Sequence, residues 1–153
     1  MTHDQFMLVQ LKANLTLHEG KRLFPYLDTV GKLAIGVGRN LDDVGISEDE
    51  ISLLLENDIR RAMKDCILNL PFFIELDPVR KAVLVELAFN MGIGNATRGL
   101  LSFKNTLRAV SEGRYGDAAD GMLKSKWARQ VKGARAGRLA GMMRTGEWPE
   151  LPT

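Results

Sequence analysis

HEGKRLFPYLDTVGKLAIGVGRN, residues 18–40, changes character part-way along. Its first residues close a helix-like run, whereas Pro25, Gly31, Gly36 and Gly38 exclude a stable helix further on. LAIGVG alternates like a short strand, so a β-hairpin is expected over residues 22–41. The same stretch sets two carboxylates, Glu19 and Asp28, nine positions apart. If the first helix ends at Glu19 and the hairpin turns at Asp28, the two acids occupy different surroundings. Glu19 then lies beside the partial negative charge of a helix C-terminus, which favours the protonated acid. Asp28, among polar turn backbone, stays ionised. An acid and a base divided in this way are what glycoside hydrolysis requires.

Upstream, Thr2 and Gln5 form the capping-box pattern of a first helix. Leu8, Leu11 and Leu15 share one of its faces, and it ends near Glu19 and Gly20. Downstream, Ser47 and Glu50 make a second capping box. The long helix they open carries Ile51, Leu54, Leu55, Ile59, Met63 and Ile67 at three- and four-residue spacing, until Pro71 stops it. Asp77 and Pro78 read as N-cap and first residue of a helix whose AVLVELAFNM run is apolar nearly all round, a central buried helix ending at Gly92. Further helical segments are expected over 102–112, 115–124 and 132–144, with Gly113 and Gly146 as stops. The fold class is α+β, mainly α, in one domain spanning 1–153. A small hairpin lobe at about 20–46 joins, through a long helix at about 47–70, a helical lobe at about 71–153 that includes the N-terminal helix. A cleft between the lobes is expected.

A chain of 153 residues, 45% hydrophobic and 26% charged, can bury a substantial core and is not disordered. The single cysteine, Cys66, excludes an internal disulfide framework, and two histidines argue against a zinc centre. No metal or cofactor is expected. The opening residues lack a basic region followed by an apolar run, so neither a signal peptide nor a membrane span is read, and residence in the cytoplasm follows as an expectation. The net charge of +2 is unevenly spread, because no acid occurs between Asp120 and Glu147. That window holds Lys124, Lys126, Arg129, Lys132, Arg135, Arg138 and Arg144. Nucleic acid, acidic lipid and bacterial cell-wall polymer all suit such a tail, and so does a merely solvated helix face.

Glu19-Gly20, Tyr26-Leu27-Asp28, Gly31 and Ile35-Gly36-Val37-Gly38 closely resemble the signature of the phage-type lysozymes. The similarity continues in order through Leu55 to Asp58, Val79 to Gly92, Phe103 to Leu107, Ser125-Lys126-Trp127 and Arg144-Thr145-Gly146-Glu147-Trp148, nearly the whole chain. The resemblance implies a lysozyme-like fold and a muramidase that cuts the glycan strand of bacterial peptidoglycan with inversion. Glu19 matches the family's general acid and Asp28 the carboxylate that positions and activates the attacking water. The family's third member, usually a Thr hydroxyl on the same water, falls at Ala34. Arg39 stands where some members have His. Gly38, Arg39, Leu41, Phe89, Asn90, Ser125 and Lys126 fall at substrate-binding positions. Arg135 aligns with an arginine that pairs with the acid, and Glu86 is its expected second partner.

Most of these residues also have a plainer reading. Phe89 on an apolar helix reads as core, and Asn90 is the stronger candidate for sugar. Trp127 and Trp148 can stack on sugar, but both read first as core. Glu86 reads as a buried carboxylate satisfied by an arginine. His18 points to solvent, and the seven methionines fill gaps. A Thr at residue 34 is β-branched and suits a strand, so it is expected to cost no stability through backbone preference. An active muramidase, a phage endolysin waiting in the host cytoplasm for a holin pore, leads the functional readings. A catalytically impaired, peptidoglycan-binding lysozyme fold is the alternative. A nucleic-acid module ranks last for want of interleaved aromatics. A monomer without stable membrane insertion is expected.

Overall fold

The computed structural model describes residues 1–131 and 134–150. In order they form α1 (His3–Glu19), β1 (Arg22–Leu27), β2 (Leu33–Gly36), β3 (Arg39–Asn40), α2 (Glu48–Asn69), α3 (Pro78–Met91), α4 (Lys104–Ser111), α5 (Tyr115–Lys124), α6 (Lys126–Gln130) and α7 (Arg135–Thr145). The chain divides into two compact units, one ending at Leu53 and the other beginning at Leu54. No helix among the described residues is long and apolar enough to cross a membrane.

In the first unit α1 opens with the expected capping box: Gln5 N–H donates to Thr2 Oγ1, and Thr2 N–H to Gln5 Oε1. Gly20 ends it at φ +75°, its N–H donating to Thr16 O at 3.1 Å, so Glu19 is the last helical residue. The expected hairpin is a three-stranded antiparallel sheet in the order β1-β2-β3. LAIGVG does not remain one strand, because positive φ at Gly36 and Gly38 folds the chain back after four residues. Tyr26 pairs with Ala34, Ala34 with Asn40, and Ile35 with Arg39. Pro25 is tolerated because β1 is an edge strand with a register shift between Arg22 and Tyr26.

The second unit is built on α3. Asp77 caps it by accepting from Arg80 N–H at 3.0 Å, with Pro78 in the first turn. Val83, Leu84 and Leu87 are fully buried against Leu107 and Val110 of α4, Met122 of α5 and Met143 of α7. α3 is not buried all round: Glu86, Phe89 and Asn90 are at least partly exposed. The apolar stripe of α2 also behaves differently from expectation. Ala62 and Cys66 are its buried residues, while Leu55, Ile59 and Met63 line an open groove with Val85 and Phe89. Burial pushes the Cys66 thiol up to about 12, with Asp65 adding to the effect, so it is inert near neutral pH. The five-residue α6 is too short for a periodic signal and was not anticipated. The expected 132–144 helix is α7 from Arg135; residues 132 and 133, Lys132 among them, lie outside the described residues.

Arg80 ties this unit together. Its Nε donates to Met143 O at 2.8 Å and its Nη2 to Arg144 O at 3.0 Å, satisfying carbonyls that the end of α7 leaves open. Nη1 lies 2.9 Å from Asp77 Oδ2, and the guanidinium stacks 3.6 Å over the Tyr115 ring of α5. Burial alone would raise the Asp77 carboxyl, but the Arg80 amide and guanidinium outweigh it and hold Asp77 below the usual carboxylate range. Gly146, left-handed at φ +71°, leaves room for the same side chain: a Cβ there would lie 2.7 Å from Arg80 Nη1. Arg80→Ala is therefore expected to cost roughly 2–4 kcal/mol in urea unfolding, since it leaves the Met143 and Arg144 carbonyls and Asp77 Oδ2 without their side-chain donor and removes the stack on Tyr115.

Candidate active site

Glu19 ends α1, and its carboxylate lies under the turn between β2 and β3. A Cβ built on Gly38 would sit 3.7 Å from Glu19 Oε2 and 3.9 Å from its Cδ. Gly38 has φ +79°, so a side chain there would be strained, and its Cβ would stand in van der Waals contact with the acid. The backbone of residue 38 thus forms a close wall beside Glu19.

Asp28 begins the β1–β2 turn. Its Oδ1 accepts from Val30 N–H at 2.9 Å and from Lys32 N–H at 2.8 Å. Its own N–H donates to Lys32 O at 2.8 Å, and Gly31 N–H donates to Asp28 O at 3.1 Å. One carboxylate oxygen thus holds the turn, and the other accepts no hydrogen bond among the described residues. Ala34 is the one buried residue among the described residues of the first unit, 2% exposed. Backbone preference is therefore not the whole cost of a Thr at this strand position, because a hydroxyl and a methyl must also enter covered space.

Arg39 is engaged with protein rather than held out to solvent. Its Nη1 donates to Glu50 Oε2 at 2.6 Å and to Gly45 O at 3.2 Å. Glu50 Oε2 also accepts from Ser47 N–H at 2.7 Å, and Glu50 N–H donates to Ser47 Oγ at 3.3 Å. One carboxylate therefore completes the capping box of α2 and grips Arg39. The Arg39 hydrogen bond, then the Ser47 amide, holds the Glu50 carboxyl down at about 2. Leu41, next to this cluster, donates its N–H to Leu33 O at 2.8 Å.

The remaining candidates lie in the second unit. Asn90 Oδ1 accepts from Trp127 Nε1 at 2.8 Å, which orients the amide and leaves its Nδ2 donors outward. Trp127 is core, as expected; Trp148 is not, being 63% exposed beside Arg135 and Arg138. Its place after the helix-ending Gly146 takes it off the buried face of α7. Phe89, 44% exposed, is likewise not core and faces the apolar groove of about 560 Å³. Ser125 caps α6: its Oγ accepts from Ala128 N–H at 3.1 Å and donates to Met122 O at 2.6 Å, so the hydroxyl is already occupied. Lys126 is exposed beside it. Glu86 pairs with Arg135 at 3.1 Å as expected but is not buried, its side chain being 43% exposed. Two pairings of candidate residues are not read from the sequence: Glu50, expected only as a cap, also binds Arg39, and the indole N–H of Trp127, which needs an acceptor when buried, binds Asn90.

A mainly helical chain with a small antiparallel sheet, a glutamate ending its first helix and an aspartate holding the adjoining turn has a lysozyme-like architecture, that of a glycosidase. Comparison with known proteins agrees. Residues 16–146 match the family Phage lysozyme, and the chain belongs to that family. It is 28% identical to probable T4-type lysozyme 1 of Dictyostelium discoideum, over 92% of this chain and 96% of that protein. It is also 28% identical to probable T4-type lysozyme 2 of the same organism, over 94% and 99%.

The Arg39–Glu50 pair has a pH signature. A carboxyl held at about 2 in the folded chain, against 4.5 ordinarily, contributes stability that is complete above about pH 4.5 and is lost as pH falls through about 2. Urea unfolding of the wild type and Glu50→Gln should show a stability gap that is constant above about pH 5 and narrows steadily below about pH 4.5.

Proposed function

We propose that this chain is a muramidase that hydrolyses the glycan strand of bacterial peptidoglycan with inversion at the anomeric carbon. Glu19 protonates the leaving glycosidic oxygen, and Asp28, through the oxygen its turn leaves uncommitted, draws a proton from the attacking water. Family membership carries the reading; the helix-end position of Glu19 and the backbone-anchored Asp28 support it. Asn90, its Oδ1 held by Trp127, and the exposed Lys126 are the proposed sugar contacts of the second unit, and Gly38 and Leu41 those of the first. Ala34 offers no hydroxyl to the water, so turnover is slower than in a chain with Thr there. The biological role proposed is that of a phage endolysin, held in the host cytoplasm until a holin pore releases it to the wall.

Glu19→Gln should leave circular dichroism unchanged and reduce lysis of outer-membrane-permeabilised cells by about 10²–10⁴-fold, because an amide cannot donate the proton. Undiminished lysis would remove Glu19 from the role.

Ala34→Thr should raise kcat, roughly tenfold or more, with KM nearly unchanged, since the hydroxyl acts on the water and not on the sugar. The buried position implies a stability cost of about 1–3 kcal/mol, so steady-state rates on a soluble peptidoglycan fragment are to be compared at equal folded fraction. No gain in kcat would show that residue 34 does not address the water, and would favour the impaired, binding-only alternative.

A further inference from the structure

The resemblance places Arg39 among residues that touch substrate, yet its Nη1 is held by Glu50 Oε2 at 2.6 Å and Gly45 O at 3.2 Å. We infer that Arg39 is a positioning residue for the acid: clamped by Glu50, it fixes the β2–β3 turn so that the backbone of Gly38 stays against the Glu19 carboxylate. This inference rests on the assignment of Glu19 as general acid.

The clamp is short and local. Arg39 is the first residue of β3 and pairs with Ile35; of the chain between them Gly36 pairs with Arg22 of β1, and Val37 and Gly38 lie outside the strands. Two glycines at positive φ leave that turn with little intrinsic stiffness. Its placement therefore depends on what holds its two ends. The β2 end is held by pairing with β1, through Tyr26 and Ala34. The β3 end is only two residues long, and Arg39 carries its tie to α2. Glu50 suits this task because the Ser47 amide holds the same oxygen at 2.7 Å, which fixes the carboxylate on the first turn of α2 before Arg39 reaches it. The path runs from the start of α2 through Glu50 and Arg39 to Gly38, whose Cβ position lies 3.7 Å from Glu19 Oε2. A proton donor must be aimed within a narrow angle at the leaving oxygen, so a turn free to shift lowers the fraction of productive complexes while sugar affinity persists.

Glu50→Gln is the informative variant, because glutamine preserves the capping box and removes the charged grip on Arg39. It is compared with Arg39→Gln, the double variant, Arg39→Lys and Glu19→Gln in steady-state hydrolysis of a soluble peptidoglycan fragment. Wild-type turnover that Glu19→Gln abolishes establishes the acid; its persistence in Glu19→Gln would defeat the underlying reading. Given that, Arg39→Gln and Glu50→Gln should each lower kcat by about tenfold with KM unchanged, and the double variant should be no slower than either single. Arg39→Lys, which keeps a charged donor for Glu50, should recover part of the loss. A rise in KM with kcat intact in Arg39→Gln would make Arg39 a substrate contact and overturn the inference. Losses that multiply in the double variant, or variants with lowered melting temperature and unaltered kcat in the folded fraction, would overturn it equally.

Discussion

The two hydrogen bonds that Asp28 Oδ1 accepts, from Val30 and Lys32, set the register of the sheet on which the candidate site is built. Because side chains alternate faces along a strand, a slip of one residue after this turn would carry Ala34 from the covered face to the open one. It would also move Ala34 off Tyr26 and Asn40, and bring Gly36 and Gly38 out of the positions where the chain reverses. The close approach of residue 38 to Glu19 is therefore fixed, through two strand pairings, by a carboxylate ten residues earlier. The turn uses one oxygen of that side chain, which is compatible with the proposed role of the other as the water-activating base.

Arg80 solves a comparable problem in the second unit with the opposite charge. Helix ends leave backbone carbonyls open, and two of those at the end of α7 find their partner in one side chain. A single guanidinium reaches two of those carbonyls, an N-cap carboxylate on α3 and an aromatic face on α5. Arginine suits this place better than lysine, since its planar fork presents several donors in fixed directions and can stack at the same time. The N-cap that starts α3 and the cap that closes α7 are consequently one interaction, which locks the helix carrying Glu86 and Asn90 to the helix carrying Arg135.

The legibility of these features in the sequence varied with how local their cause is. Capping boxes at Thr2 and Ser47, the Asp77-Pro78 start and the glycine stops at 20, 92 and 146 are decided by three or four neighbouring residues, and each reads correctly. The reversal inside LAIGVG did not, because alternation describes side chains whereas the break comes from backbone φ at two glycines. Burial was least legible. Phe89 and Trp148 are apolar yet exposed, and Glu86 is half open, because hydropathy says what a face can bury and not what stands opposite it. Glu19, Asp28 and Ala34 were legible as positions through resemblance; the Arg39–Glu50 and Asn90–Trp127 pairs, which join residues 11 and 37 apart, required three-dimensional structure.

In the proposed mechanism the attacking water depends on how its contacts are shared. With a hydroxyl at residue 34, the trajectory would be defined by two groups on different strands, and small movements of either would be tolerated. With a methyl there, Asp28 alone supplies direction. A carboxylate free to rotate about χ2 would then aim the water poorly, since its two oxygens would exchange roles. Here the exchange is opposed: turning Oδ1 away breaks its bonds to both Val30 and Lys32 and leaves two backbone donors to find other partners. On that proposal the rigidity of the Asp28 turn matters more to this chain than to a chain with threonine at that position, since one five-residue turn then carries the whole of the aim.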